Sequence, residues 1–243
     1  MQVTSIIIPT FNGLNLLQEC VASIRRHTSV PYEIIVVDNG SQDGTLEYCH
    51  RERLKLVAIP INRGFPVACN YGLHIATGNA LMLLNNDTLA TPNWLDNMLR
   101  ALYSSDDVGM VGPMTNYASG KQQIQEPYTN INEMVAKYNT PNPAIWQDTT
   151  RLVGISLLFK RELLDQIGFM DERFSPGHFE DDDFCYRTRL AGYRLLIVGD
   201  CFIFHHGSAS FHKKGYEAVQ ALLQQNRQKF IDKWGVDPHT FIE

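Results

Sequence analysis

Two periods of apolar residues alternate along the first half of the chain, and each switch marks the boundary of an element. Residues 3–8 form a β-branched run ended by Pro9, and residues 14–27 follow with Leu17, Val21 and Ile24 at near-helical spacing. Residues 33–37 and 54–59 read as further buried strands. Asp38-Asn39-Gly40-Ser41 breaks the first of these, and Asp43 can open a helix running to about Arg51. A helix over 65–76 stopping near Gly78, a strand over 80–84, a helix over 92–103 with proline in its first turn, and a strand over 108–111 complete the alternation. Strands and helices joined this way predict an α/β fold with a mostly parallel central sheet flanked by helices. Such sheets bind ligands beyond the carboxyl ends of their strands. The chemistry is therefore sought in Pro9-Thr10-Phe11-Asn12, Asp38 to Ser41, Asn62-Arg63-Gly64 and Asn85-Asn86-Asp87.

The pattern changes over residues 114–150, where Asn, Gln, Thr and Pro crowd together and periodicity fades. A stretch of that length predicts a variable surface loop or lid. Trp146 within it reads either as an acceptor contact or as an anchor to the core. Order resumes with a strand-like run over 152–159, a helix over 161–167, a helix over 181–191 capped by Gly192, two strands over 194–198 and 201–204, and a closing amphipathic helix over 216–234.

Composition narrows the possibilities. A chain of 243 residues, 44% hydrophobic and 19% charged, can bury a full core and is expected to form one domain. Lys and Arg number 21 against 26 Asp and Glu, a net charge of −5, so no general attraction to nucleic acid is expected. Five cysteines with no CxxC pair suit a reduced, cytoplasmic setting. The start lacks a basic leader, and no apolar run approaches the ~18 residues that span a bilayer. The basic Phe211-His212-Lys213-Lys214 patch leaves peripheral contact with a membrane or a lipid-linked acceptor open.

Three constellations can carry chemistry. Asp87 follows an apolar strand directly, where a single carboxylate together with substrate phosphates can hold magnesium or manganese; an ordinary Asn/Asp turn is the plainer reading. Glu180-Asp181-Asp182-Asp183 opens a helix. One or two acids there suit the helix dipole, whereas four in succession call for a cation, an Arg or a substrate to offset them. A crowded carboxylate of this kind can serve as a general base near neutrality. His205-His206 ends a strand, so only one of the two imidazoles faces any given site, as a metal ligand or as a structural group. Phosphate loops of the GxGxxG and GxxxxGK[ST] types and a GxSxG elbow are absent from the sequence.

Taken in order, Ser5-Ile-Ile-Ile-Pro-Thr-Phe-Asn12, Ile35-Val-Val-Asp-Asn-Gly-Ser-Gln-Asp-Gly-Thr45, Asn62-Arg-Gly-Phe65, Leu84-Asn-Asn-Asp-Thr88, Phe179-Glu-Asp-Asp-Asp-Phe184 and His205-His-Gly-Ser208 resemble family 2 glycosyltransferases of the GT-A fold over about residues 3–211. The resemblance implies a nucleotide-sugar-binding half over 1–113, the variable loop over 114–150, an acceptor and catalytic half with a smaller sheet over 151–211, and a C-terminal helical extension over 212–243. It places Pro9, Thr10, Asn12, Asp38, Asn39, Arg63, Asn70, Asn85, Asn86, Asp87 and Gly154 about a nucleotide diphosphosugar. That donor is expected to be a UDP-sugar, with dTDP- and GDP-sugars open. Asn85-Asn86-Asp87 looks like a DXD motif with one charge removed, which leaves Mn2+ or Mg2+ to Asp87 and His205. Glu180 and Asp181 match the acidic catalytic pair, with Asp181 as base. The stretch from Gly154 to Phe159, followed by Lys160-Arg161-Glu162, resembles the lining of the donor sugar and acceptor. The implied reaction is inverting transfer to a hydroxyl of a glycan, lipid-linked or protein acceptor. A sugar nucleotidyltransferase and a non-catalytic sugar-nucleotide or glycan-binding module are the rival expectations.

Overall fold

The computed structural model describes residues 3–207 and 216–241. The basic patch at 211–214 and Ser208 lie outside them. Strand β1 (Thr4–Thr10) carries the triple-isoleucine run and is buried along its whole length. Its two faces supply two different cores, as the period of two requires. Ile6 and Ile8 join Val36, Met82, Leu84 and Leu158 on one side, while Ile7 joins Ile35, Val37, Leu81, Leu83 and Leu157 on the other. Helices α1 (Leu14–His27) and α4 (Trp94–Leu102) cover the first side; α3 (Phe65–Ile75), α6 (Arg161–Ile167) and α7 (Glu180–Leu190) cover the second.

With β2 (Tyr32–Asp38), β3 (Lys55–Ala58), β4 (Ala80–Leu84), β5 (Thr88–Leu89), β6 (Val108–Thr115), β7 (Gln147–Thr149), β8 (Ser156–Lys160) and β9 (Arg194–His205), the spatial order is β3-β2-β1-β4-β8-β6-β9-β5, with β7 also on β9. Helix α2 (Thr45–Arg51) joins β2 to β3. The long strands run parallel except β8, which is antiparallel to both neighbours. This reversal matters for function, because it brings the start of β8 to the edge where the other strands end. The two-residue β5 pairs with the tip of β9, Thr88 opposite His205, and forms the smaller sheet.

Helices 14–27, 161–167 and 216–234 (the last being α8, Tyr216–Trp234) and strand 80–84 have the bounds their periodicity predicts. Elsewhere tertiary contacts redraw the boundaries. The two strands expected over 194–198 and 201–204 are one strand, β9, with a shift in its register against β6 after Pro113. The polar interruption at Gly199-Asp200 is accommodated because buried Asp200 accepts from Asn142 N at 2.7 Å and Trp146 Nε1 at 2.5 Å. Trp146 is thus an anchor, packed against the core. The stretch over 114–150 holds more order than its composition suggests. Helix α5 (Ile131–Tyr138) is capped by Asn130, whose side chain accepts from Glu133 N, and Met134 packs with Ile124 and Phe202 in a satellite core. Buried Asn139 Oδ1 accepts from Phe202 N at 2.8 Å, which pins the end of α5 to β9.

Candidate active site

Parallel pairing brings the ends of β1 and β2 together, with Pro9 opposite Val37 and Thr10 opposite Asp38. The loops beyond them are stitched to one another by short polar side chains. Thr10 Oγ1 accepts from Asn86 Nδ2 at 2.8 Å, and Asn12 Oδ1 accepts from Gln42 N at 2.8 Å. Asn39 Oδ1 accepts from Arg63 N at 2.9 Å, while its Nδ2 donates to Asn62 Oδ1 and Gly64 O, both at 3.1 Å. Asn70 spends both ends of its amide on Met170, donating to its carbonyl at 2.9 Å and accepting from its N–H at 3.0 Å. These residues build the rim by binding loop to loop. Asp38 is buried, its carboxylate accepts from Ser41 N at 3.2 and 3.3 Å and its carbonyl from Ile59 N at 2.8 Å, and the Arg63 side chain is exposed.

At the end of β4, Asn85 N donates to Ile155 O at 3.0 Å, next to the start of β8. Asp87 follows, 5% exposed, and its backbone carbonyl accepts from His206 N at 2.9 Å. This bond, with the β5–β9 pairing, sets His205 Nε2 3.2 Å from Asp87 Oδ1. His206 points elsewhere, its Nε2 3.3 Å from Glu19 Oε2. His205 Nδ1 lies 2.8 Å from the Tyr117 carbonyl, and Asn116 grips the His205 backbone through both ends of its amide, at 2.8 and 2.9 Å. In the neutral ring the proton therefore sits on Nδ1 and the Nε2 lone pair faces Asp87. Neither Nε2 nor Asp87 Oδ1 has an aligned hydrogen-bond partner, although both atoms are buried. Two facing lone pairs in a buried place call for a positive charge between them. Burial works against a proton there, but Asp87 and the Tyr117 carbonyl outweigh it and raise the His205 pKa above the ordinary imidazole value. A carboxylate and an imidazole equally form a donor pair for a divalent ion. No group of three or more His, Cys, Asp or Glu that could hold a metal occurs among the described residues, and a hard divalent ion at this pair would take its further ligands from other oxygens, protein or substrate.

The acidic run opens α7 and is buried throughout, yet its four carboxylates have different fates. Asp183 is enclosed by Arg187 Nε at 2.8 Å, Lys233 Nζ at 2.5 Å and Trp234 Nε1 at 2.8 Å, the last two from α8. Asp182 receives Arg151 Nε at 2.5 Å. Asp181 is held by backbone N–H groups: Oδ2 accepts from Gly154 N at 2.8 Å and Oδ1 from Asp182 N at 3.0 Å. Gly154 permits this close approach, since a Cβ there would lie 3.2 Å from Asp181 Cβ and 3.3 Å from its Oδ2. Glu180 Oε2 has no partner, and burial, followed by repulsion from Asp181, raises its carboxyl well above the usual range. Burial and Asp181 likewise push Asp182 up to about 7.

Asp87 and Asp181 thus border one short turn: Ile155 receives Asn85, two residues from Asp87, and Gly154 donates to Asp181. The stretch after Gly154 departs from the expected lining. Because β8 runs backwards, Lys160 and Arg161 lie at the far end of the sheet, where they bind the carbonyls of Ser105 and Asp106 and of Ala76 and Gly78. Only the start of the stretch borders the site.

The description "Glycosyl transferase family 2" matches residues 5–168. The chain belongs to that family. This family 2 chain is 26% identical over 244 residues to a chondroitin synthase of Pasteurella multocida, a match covering 86% of this chain and 24% of the relative. It is also similar to a mannosyltransferase from Pyrobaculum calidifontis in complex with GDP-Man and Mn2+ (TM-score 0.69, 24% identity, 98% of this chain and 66% of that one). S. aureus TarS in complex with UDP-GlcNAc shares the GT-A fold as well (TM-score 0.65, 17% identity, 95% and 67% covered). The chain spans about a quarter to a third of its first curated relatives, 25%, 24% and 34% of their lengths. Within the family 2 core, sequence reasoning missed Asn116 and Tyr117, which orient His205, and Arg151, the partner of Asp182. Each is a polar residue in or beside the aperiodic 114–150 stretch, without a local pattern to single it out. All five cysteines are buried and free, and no helix among the described residues is long and apolar enough to cross a membrane.

Proposed function

We propose that this glycosyltransferase is an inverting, metal-assisted enzyme that moves a sugar from a nucleotide diphosphosugar to an acceptor hydroxyl, with Asp181 as general base. The observation that carries the reading is the juxtaposition, about one turn, of a carboxylate that accepts from two backbone N–H groups with a buried Asp87–His205 pair whose facing atoms lack hydrogen-bond partners among the described residues. Asp181 accepts the acceptor's hydroxyl proton as that oxygen bonds to the anomeric carbon; the bond from that carbon to the diphosphate breaks on the opposite face, and configuration inverts. Gly154 N–H and Asp182 N–H orient the carboxylate for this step. Asp87 and His205 would hold Mn2+ or Mg2+. When bound, such a cation supplies charge that offsets the negative charge on the leaving diphosphate. Asp38, at the buried end of β2, accepts from the nucleotide base, and Glu180 supports Asp181 as a protonated neighbour. The relatives bound to GDP-Man and UDP-GlcNAc support a nucleotide sugar as donor, and the family resemblance favours uridine. The acceptor is a glycan, a lipid-linked sugar or a protein. A nucleotidyltransferase reading fits less well, because residues 9–16 contain no Lys or Arg to meet the triphosphate that a sugar phosphate would attack.

A thermal-shift screen of UDP-, dTDP- and GDP-sugars with and without Mn2+, followed by a transfer assay on the stabilising donors, tests this reading. One base class is expected to raise Tm, and to do so only with the cation. A screen in which no nucleotide sugar raises Tm would sink the proposal.

A further inference from the structure

The carboxylate read as the base is gripped from one side by a short strap. Residues 151–154, between β7 and β8, run along the first two turns of α7 and touch it repeatedly. Arg151 Nε donates to Asp182 Oδ1 at 2.5 Å, Leu152 N to Cys185 Sγ at 3.2 Å, and Gly154 N to Asp181 Oδ2 at 2.8 Å. The strap is itself moored to the end of β6. Val153 N donates to Gln122 Oε1 at 2.7 Å, and Gln122 Nε2 donates to the Pro113 carbonyl at 2.8 Å. Arg151 Nη1 donates to Ser119 Oγ at 2.9 Å. The Arg151 and Asp182 side chains are only 13% and 4% exposed, so the ion pair sits inside the protein rather than on its rim. The second cation near this turn, Arg187, is engaged by Asp183.

We propose that Arg151 is a positioning residue for Asp181: clamped between Ser119 and Asp182, it fixes the first turn of α7 so that the Asp182 and Gly154 N–H groups hold both oxygens of the Asp181 carboxylate. This rests on the reading of Asp181 as the base. Arg151 acts on charge as well as geometry. The ionisable groups around Asp181 and Asp182 are Glu180 and Asp183 on the same turn, the latter with Arg187 and Lys233, Cys185 one turn on, Cys69 of α3 against Glu180, and Arg151 from the strap. Arg187 and Lys233 are taken up by Asp183, so without Arg151 the carboxylates of Glu180, Asp181 and Asp182 have no cation paired with them among the described residues, and adjacent acids share protons. A proton held in this cluster prevents Asp181 from accepting another.

The test is steady-state kinetics with pH profiles for wild type, Arg151→Gln, Arg151→Lys, Asp182→Asn and the Arg151→Gln/Asp182→Asn double variant. Arg151→Gln is expected to lower kcat by about 10- to 100-fold, to leave the donor KM within about threefold, and to move the acidic limb of kcat upward by about one pH unit. Arg151→Lys, which keeps the charge, is expected to restore the limb and most of kcat. In the Asp182→Asn background the Arg151→Gln change should have little further effect, because its partner is gone. A lowered Tm with kcat and the limb unmoved would show Arg151 to be packing only and overturn the proposal; so would full additivity with Asp182→Asn. If Arg151→Gln does not fold, Asp182→Asn decides alone. With the clamp on α7 released in that variant kcat should fall, as it would in Arg151→Gln, and an undiminished kcat overturns the proposal. Turnover lost in Asp181→Asn but unmoved in the Arg151 variants defeats this inference while leaving the base reading intact. Turnover undiminished in Asp181→Asn, or absent from the wild type with every nucleotide sugar, defeats both.

Discussion

Two acidic turns face the same sheet edge and are completed in opposite ways. The turn after β4 has one carboxylate, Asp87, opposite an imidazole nitrogen 3.2 Å away, and neither facing atom has an aligned hydrogen bond among the described residues. The turn opening α7 has four carboxylates, of which Asp182 and Asp183 are met by Arg151, Arg187 and Lys233. A site built for a diffusible cation must be left short of charge, since a resident Lys or Arg would occupy it. A site built to accept a proton must be insulated from its own acids, since an unpaired neighbour would hold the proton first. On the proposed reading, the difference between the turns follows from what each would bind.

Removing the acceptor of that proton should give the largest effect. Asp181→Asn keeps the size of the side chain and its N–H contacts but loses basicity, so kcat is expected to fall by about 10²- to 10⁴-fold while the donor-induced Tm shift persists. Comparable turnover in wild type and variant would remove Asp181 from its role. Asp183 should behave differently although it lies two residues away. Its carboxylate is fully buried and neutralises Arg187 and Lys233, so Asp183→Ala is expected to destabilise the fold by about 3–5 kcal/mol in urea titration, by stranding buried cations. A stability loss of less than about 1 kcal/mol would mean that α8 does not depend on this anchor. On the cation-poor side, Asp87→Ala should leave the unliganded protein close to wild type in Tm but abolish the extra stabilisation by donor plus Mn2+, which amounts to about 2.7 kcal/mol at a ligand concentration 100-fold above Kd. An undiminished Mn2+-dependent shift would place the cation elsewhere.

The contrast between the turns also tracks what could be read from the sequence. The strands and helices that carry Asp87 and His205 follow from periodicity, and the carboxyl-edge rule points to the loops after them. The choice between His205 and His206 needed the bond from His206 N to the Asp87 carbonyl, a contact across more than a hundred residues. The acidic run showed by itself that cations were required, but nothing local selects Arg151 or Lys233 from the 21 Lys and Arg of the chain. Arg151 lies 31 residues from Asp182 and Lys233 lies 50 from Asp183, so their pairing depends on how the strap and α8 dock. The unity of β9 was hidden for the same reason. Gly199-Asp200 looks like a break until Asn142 and Trp146, more than fifty positions earlier, satisfy the aspartate.

The smallest expected effect tests how well the second turn is insulated, and it is read from stability rather than turnover. Burial and then Asp181 hold Glu180 well above the carboxylate range, so the folded state keeps a proton that the unfolded chain releases near its ordinary value of 4.5. A folded pKa raised above the unfolded one contributes stability that is complete below the unfolded value and is lost as pH rises toward the folded value. Glu180→Gln removes this term and leaves those of His205 and Asp182 in place. Urea titrations of wild type and variant between pH 5 and 8 should therefore diverge, with the wild type losing ground as pH rises at no more than about 1.4 kcal/mol per pH unit. Parallel stability curves would mean that Glu180 is ionised in the folded protein, and the acidic turn would then need a cation beyond Arg151, Arg187 and Lys233, which would make it resemble the turn at Asp87.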